Sequence, residues 1–120
     1  MKLKEVQDIL NAEVISGDHD LEKEIKCAFA AELISDVLAL AQEGALLITG
    51  FTHPQVVYAA DAANLCAILF IRGKSPNEVT KQLAFEKKIP LLSTSYMMFE
   101  TCGLLYEYGL KTCSIEVKNG

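Results

Sequence analysis

Two stretches of this chain repeat one plan at a fixed offset, and that repetition limits the fold more than any other feature. Ala45-Leu46-Leu47-Ile48-Thr49 and Cys66-Ala67-Ile68-Leu69-Phe70-Ile71 are short, unbroken apolar runs. Each ends in a glycine-containing loop, and each loop leads into a helix-like segment opened by proline, at His53-Pro54 and at Ser75-Pro76. Ala45 aligns with Ala67, Pro54 with Pro76 and Val57 with Val79. A third run, Pro90 to Leu92, stops at Ser93-Thr94-Ser95 and leads into a Met- and aromatic-rich segment, Tyr96 to Tyr108. An unbroken apolar run of strand length suits a strand covered on both faces. Strand, helix and strand in succession make βαβ crossovers, which are right-handed in nearly all proteins. The expected fold is therefore α/β, one domain spanning residues 1–120. Its sheet is mixed and mostly parallel, of about five to six short strands, with helices on its faces.

The flanks fit this frame. Leu3, Val6, Ile9 and Leu10 share one face at helical spacing, with Asn11 as a stop. Ala12 to Ser16 predicts a short strand and Gly17-Asp18-His19-Asp20 a turn. Ile25, Cys27 and Phe29 alternate with charged residues, as in a half-buried strand within Leu21 to Ala30. Leu33, Ile34, Val37, Leu38 and Ala41 predict a helix, with Gly44 at its C′ position. In the second repeat Ser75 is expected to cap a helix with Pro76 in its first turn and Glu78 completing a capping box. Val79, Leu83 and Ile89 are expected to face inward. Thr112 to Val117 alternates weakly and predicts an edge strand.

Composition narrows the function classes. A hydrophobic fraction of 51% with 22% charged residues describes a globular chain. The net charge of −5 argues against nucleic acid, whose phosphates need a basic surface. No apolar run reaches the ~20 residues of a membrane span, and the N-terminus has no signal-peptide core. A cytoplasmic protein is expected. Cys27, Cys66, Cys102 and Cys113 form no C-x-x-C pair, and with two histidines no zinc spacing exists. Free, buried thiols are expected, since disulfides are rare in reducing compartments. Asp18, His19 and Asp20 are adjacent in one turn and supply no coordination shell. No metal and no cofactor is expected.

Parallel strands place their βα loops on one rim, where ligands of open α/β sheets bind. Three loops meet there: Gly50-Phe51-Thr52-His53, Arg72-Gly73-Lys74-Ser75 and Ser93-Thr94-Ser95. The candidate ligand-binding residues are Thr52, His53, Arg72, Gly73, Lys74, Ser93 and Thr94. Ser35 and Asp36 join them if their helix starts on the same side. The chemistry on offer suits an anionic small molecule. The same residues also serve as ordinary turn and capping groups. Gly73-Lys74-Ser75 is not a P-loop, because the place of the motif's first glycine holds Ile68. His53 has no nucleophile beside it beyond Thr52, so no catalytic residue is assigned. Met97-Met98-Phe99 reads as core or as a subunit interface.

Three segments together carry a family resemblance: Glu32-Leu33-Ile34-Ser35-Asp36-Val37-Leu38-Ala39, Leu47-Ile48-Thr49-Gly50, and Ile89-Pro90-Leu91-Leu92-Ser93-Thr94-Ser95 with Phe99-Glu100-Thr101-Cys102-Gly103-Leu104-Leu105-Tyr106. Over about its whole length, and most strongly from Cys27 to Gly109, the chain resembles a stand-alone DRTGG domain. That domain resembles the N-terminal domain of HPr kinase/phosphorylase and is also inserted between CBS modules of regulatory pyrophosphatases. The resemblance implies an α/β regulatory or assembly domain, commonly a homodimer, with a protein partner. The leading expectation is a non-catalytic, self-associating domain. The alternative is a sensor of an anionic metabolite or nucleotide at the rim. A serine kinase-type phosphotransferase ranks third, since the kinase machinery of HPr kinase lies in its other domain.

Overall fold

The computed structural model describes residues 1–113. The strands are β1 (Glu13–Ser16), β2 (Cys27–Ala30), β3 (Ala45–Thr49), β4 (Ala67–Phe70) and β5 (Leu91–Ser93). The α-helices are α1 (Leu3–Leu10), α2 (Ile34–Leu40), α3 (Pro54–Ala62), α4 (Glu78–Lys87) and α5 (Met98–Glu107). A single 3-10 turn, Asp18–Asp20, stands where turn chemistry predicts it. The strands form one sheet in the order β1-β5-β4-β3-β2. From β2 to β5 every pairing is parallel, and only β1 runs antiparallel, on β5.

Side-chain alternation sorts each apolar run between two cores. Leu47, Ile68, Phe70 and Leu91 face one side, where Val37 of α2, Val56, Val57 and Ala60 of α3 and Ala84 of α4 meet them. Leu46, Ile48, Leu69 and Leu92 face the other, against Leu3, Val6 and Leu10 of α1 and Leu105 of α5. Three crossover helices thus cover one face. The two terminal helices cover the other.

Several local expectations are corrected. The cap of α4 is Asn77, whose Oδ1 accepts the Thr80 N–H at 3.1 Å, so the helix starts later than Ser75-Pro76 suggests. Its buried residues are Thr80 and Ala84, while Val79 is exposed. Small residues win this interface because α4 lies close to the loop before α3: the Thr80 hydroxyl donates to the Thr52 carbonyl at 2.9 Å. The N-cap of α2 is Leu33 and its C-cap is Ala41, in extended conformation; Gly44, at φ +80°, turns the chain into β3 instead of closing the helix. Leu33 and Leu38 are exposed. Met97, not the Ser93–Ser95 segment, caps α5.

Cys27 and Cys113 form a disulfide, with Cα atoms 4.9 Å apart and a sequence separation of 86. They are not the free thiols that the sequence suggests, because the fold brings the end of the described chain back beside β2. Cys66 and Cys102 are free. Thr112 makes an isolated parallel bridge to Ala28; the rest of the expected strand to Val117 lies outside the described residues.

Candidate functional site

The carboxyl ends of β3, β4 and β5 bring the three loops to one rim, as parallel pairing requires. The crossovers after β3 and β4 go to one face and the connection after β5 to the other. Adjacent strands that part in this way open a crevice in many α/β proteins. Here the chain closes that crevice itself. Arg72 N–H donates to the Tyr96 carbonyl and Gly73 N–H to the Thr94 carbonyl, both at 2.8 Å. The Ser93 hydroxyl donates to the Lys74 carbonyl at 2.7 Å. The Thr94 hydroxyl, fully buried, donates to the Leu10 carbonyl at 2.9 Å and ties the end of α1 to the rim. Both hydroxyls are thereby engaged inside the fold.

The remaining rim residues separate into two places. Thr52, His53 and Lys74 come together with Ser75 and Asn77 around a cleft of about 410 Å³ between the starts of α3 and α4. His53 is the N-cap of α3, its Nδ1 accepting the Gln55 N–H at 3.2 Å, and its ring stacks on Phe51 with centroids 5.8 Å apart. With Nδ1 so occupied, Nε2 is the nitrogen that donates outward. Lys74, His53, Ser75 and the Asn77 amide all offer donors, and the lining includes no carboxylate.

Arg72 does not line this cleft but stands over Gly50, which does. A Cβ on Gly50 would lie 3.0 Å from an Arg72 guanidinium nitrogen and 3.3 Å from Glu32 Oε1. Glu32 Oε1 accepts the Gly50 N–H at 2.9 Å. Arg72 and Gly73 are both left-handed, at φ +57° and +65°, and Lys74 N–H closes the turn on the Ile71 carbonyl at 3.0 Å. A non-glycine residue there costs roughly 1–2 kcal/mol. Neither Glu32 nor Gly50 was a candidate from the sequence. Their signal was a place one or two residues past a strand, on the rim that the βα units define. Ser35 and Asp36 sit exposed in the first turn of α2 and line neither place.

Chemically the rim is a set of donors and fixed charges. Among the described residues the hydroxyls of Thr80, Ser93 and Thr94 and the thiol of Cys66 donate to carbonyl oxygens, not to a base. Burial pushes both free thiols, Cys66 and Cys102, above the ordinary range, which disfavours the thiolate form. Among the described residues no three His, Cys, Asp or Glu side chains gather as a metal site.

A second concavity lies on the two-helix face. Ala28 and Ala30 of β2, Ile48 of β3, and Phe99, Cys102 and Tyr106 of α5 line a cleft of about 380 Å³. Lys111 and Thr112 complete its wall.

Comparison with known proteins places this architecture. A search of the curated proteins finds no match. Among solved structures, the crystal structure of the CBS and DRTGG domains of the regulatory region of Clostridium perfringens pyrophosphatase, complexed with the activator diadenosine tetraphosphate, superposes with a TM-score of 0.74 at 17% identity. The match covers 99% of this chain and 51% of that one, so the chain spans about half the length of its structural relative. That likeness establishes the fold. The family model for the DRTGG domain matches residues 5–108, and the chain belongs to the DRTGG domain family.

Proposed function

We propose that this chain is a non-catalytic regulatory or assembly domain that acts as a self-associating unit. One observation carries the reading. The outward side of α5 and its flanks expose Met97, Phe99, Tyr106 and Tyr108, with Phe99 at 93%, beside the apolar cleft over β2. Exposed aromatics next to an apolar groove mark interaction surfaces. Gly103 sits between Phe99 and Tyr106, and a Cβ there would meet nothing within 4 Å, so another helix can approach closely.

Charge points to a second copy as the occupant. Exposed Glu100 and Glu107 lie near the two ends of α5. Arg72 stands beside the amino end, its N–H bonded to Tyr96, and Lys111 beside the carboxyl end. In an antiparallel two-fold pairing, Glu107 of one copy approaches Arg72 of the other, and Glu100 approaches Lys111. Two-fold symmetry makes each contact twice. Light scattering behind size exclusion at micromolar protein tests this: the expected mass is twice that of the chain, and Phe99→Glu returns it to one. A monomeric wild type sinks the proposal.

The donor-lined cleft favours a second reading, a sensor of a small anionic metabolite or nucleotide. Its lining is free of carboxylates in a chain of net charge −5. The pyrophosphatase relative is a regulatory region bound to a polyanionic nucleotide. Thermal-shift screening with adenine nucleotides and acyl phosphates tests it; a ligand at a hundredfold excess over Kd adds about 2.7 kcal/mol. The shift should vanish in Lys74→Gln, and no shift at millimolar ligand removes the reading.

The proposal sets the domain in the cytoplasm, with protein partners reached through its paired form. No helix among the described residues is long and apolar enough to cross a membrane.

A further inference from the structure

The wall of the α5 cleft is held in place covalently. Lys111 and Thr112 line the cleft, and the next residue, Cys113, is bonded to Cys27 of β2. Among the described residues β2 is the outermost strand on that side of the sheet. Apart from the disulfide, two backbone hydrogen bonds among the described residues hold this segment to it: Ala28 N–H to the Lys111 carbonyl at 2.9 Å and Cys113 N–H to the Ala28 carbonyl at 3.0 Å. Backbone bonds at a sheet edge open more readily than those of the core, so cutting the cross-link loosens the segment beyond buried Leu110.

We propose that the Cys27–Cys113 disulfide is a thiol-operated latch on the self-association cleft: oxidised, it presents Lys111 and closes the β2 edge; reduced, it releases both. The inference rests on the self-association reading. The chemistry is ordinary exchange with a dithiol reductant. A thiolate of the reductant attacks one sulfur, the S–S bond breaks, and its electron pair leaves on the other sulfur as a thiolate, which takes a proton. The second thiol of the reductant then displaces the remaining protein sulfur from the mixed disulfide. The products are two protein thiols and one oxidised reductant, with two electrons transferred. Both cysteines are buried, at 8% and 6% exposure, so attack requires local opening around the intact S–S bond, and the latch responds slowly. Release removes the fixed cation that faces Glu100 of the other copy. It also bares the Ala28 N–H and carbonyl on the sheet edge.

The test compares air-oxidised protein with protein treated with dithiothreitol, both in a Cys102→Ser background that prevents cross-linking within the cleft. Alkylation and intact mass should count one reactive thiol on unfolding the oxidised form and three in the reduced form. Sedimentation equilibrium should show the dimer Kd rising at least tenfold on reduction. Cys113→Ser should match the reduced form without reductant. Three thiols in the oxidised sample overturn the proposal, as does an unchanged Kd, which leaves self-association itself intact. If both forms are monomeric, the self-association reading fails and the latch is judged by amide exchange at Ala28. A tenfold acceleration on reduction supports it, and an unchanged rate overturns it. Should the reduced chain lose its far-ultraviolet dichroism, oxidised Lys111→Glu decides: a tenfold weaker dimer supports the role of the presented cation, and an unchanged Kd overturns it.

Discussion

The two faces of the sheet are built from the same strands yet are finished differently. On one face the crossovers α2, α3 and α4 follow from the chain path, because each parallel connection must return across the sheet. On the other, only α1 and α5 are available among the described residues, and they leave β2 and part of β3 beneath an open cleft. The crossover face meets its neighbours through small residues such as Ala59, Ala60, Thr80 and Ala84. Both faces expose bulk, Tyr58, Val79 and Phe85 on the crossover helices and Phe99 and Tyr106 on α5, but on the α5 side it borders the cleft over β2. A face closed by local connections covers its strands within one chain. A face closed by terminal elements can be left for a partner.

The largest expected effects test whether both faces are true cores. Leu46 and Leu47 are sequence neighbours, both fully buried, pointing to opposite faces. Replacing either by Ala should cost about 2–5 kcal/mol in urea unfolding. A much smaller loss at Leu46 would mean that the α1/α5 face is loosely packed, and the comparison would fail. Next come the ties at the rim. Thr94→Val breaks the buried bond that holds α1 and should cost about 1–3 kcal/mol. Asn77→Ala removes the cap of α4 on the opposite face and should cost about 1 kcal/mol. Equilibrium unfolding of the two variants ranks these ties.

Exposed aromatics separate the faces by function. Phe85 on α4 and Phe99 on α5 are both exposed, and loss of either should change stability by no more than about 0.5 kcal/mol. Phe99→Ala should lower the sedimentation mass toward the monomer, whereas Phe85→Ala should not. Equal effects would remove the distinction. The smallest expected change runs the other way. The Thr101 hydroxyl, buried under α5, makes no hydrogen bond. Thr101→Val keeps the shape and removes the unsatisfied group, so a gain of up to about 1 kcal/mol is expected in thermal unfolding. A loss would show that the hydroxyl has a partner, such as bound water.

Much of the fold was legible. β3 runs over Ala45–Thr49 as its apolar run predicts, and α3 starts at His53-Pro54 because proline's fixed φ suits the first helical turn. The start of α4 was misread because Ser75, Asn77 and the Pro76 and Glu78 around them all carry cap chemistry. What decided was which side chain reaches a free N–H, and that is Asn77 to Thr80. The facing of α4 was misread for a related reason. Hydrophobicity favours Val79, whereas the close approach to the Thr52 loop favours the smaller Thr80. At the rim, Ser93 and Thr94 read as ligand donors, yet their hydroxyls bond carbonyls remote in sequence, at Lys74 and Leu10. No local pattern encodes such partners.

The sequence by itself determined the strand–helix alternation, the parallel pairing and the rim where the βα loops gather, because these depend on hydrophobic period and on residues within a few positions of one another. Tertiary structure alone decided three things. It closed the crevice between β4 and β5 with the chain's own loops. It brought Cys27 to Cys113 across 86 positions. It brought Glu32 and Arg72, from two other strand ends, onto Gly50. Each depends on the distance between residues far apart in the chain, which is set only when the sheet has chosen its order and its faces.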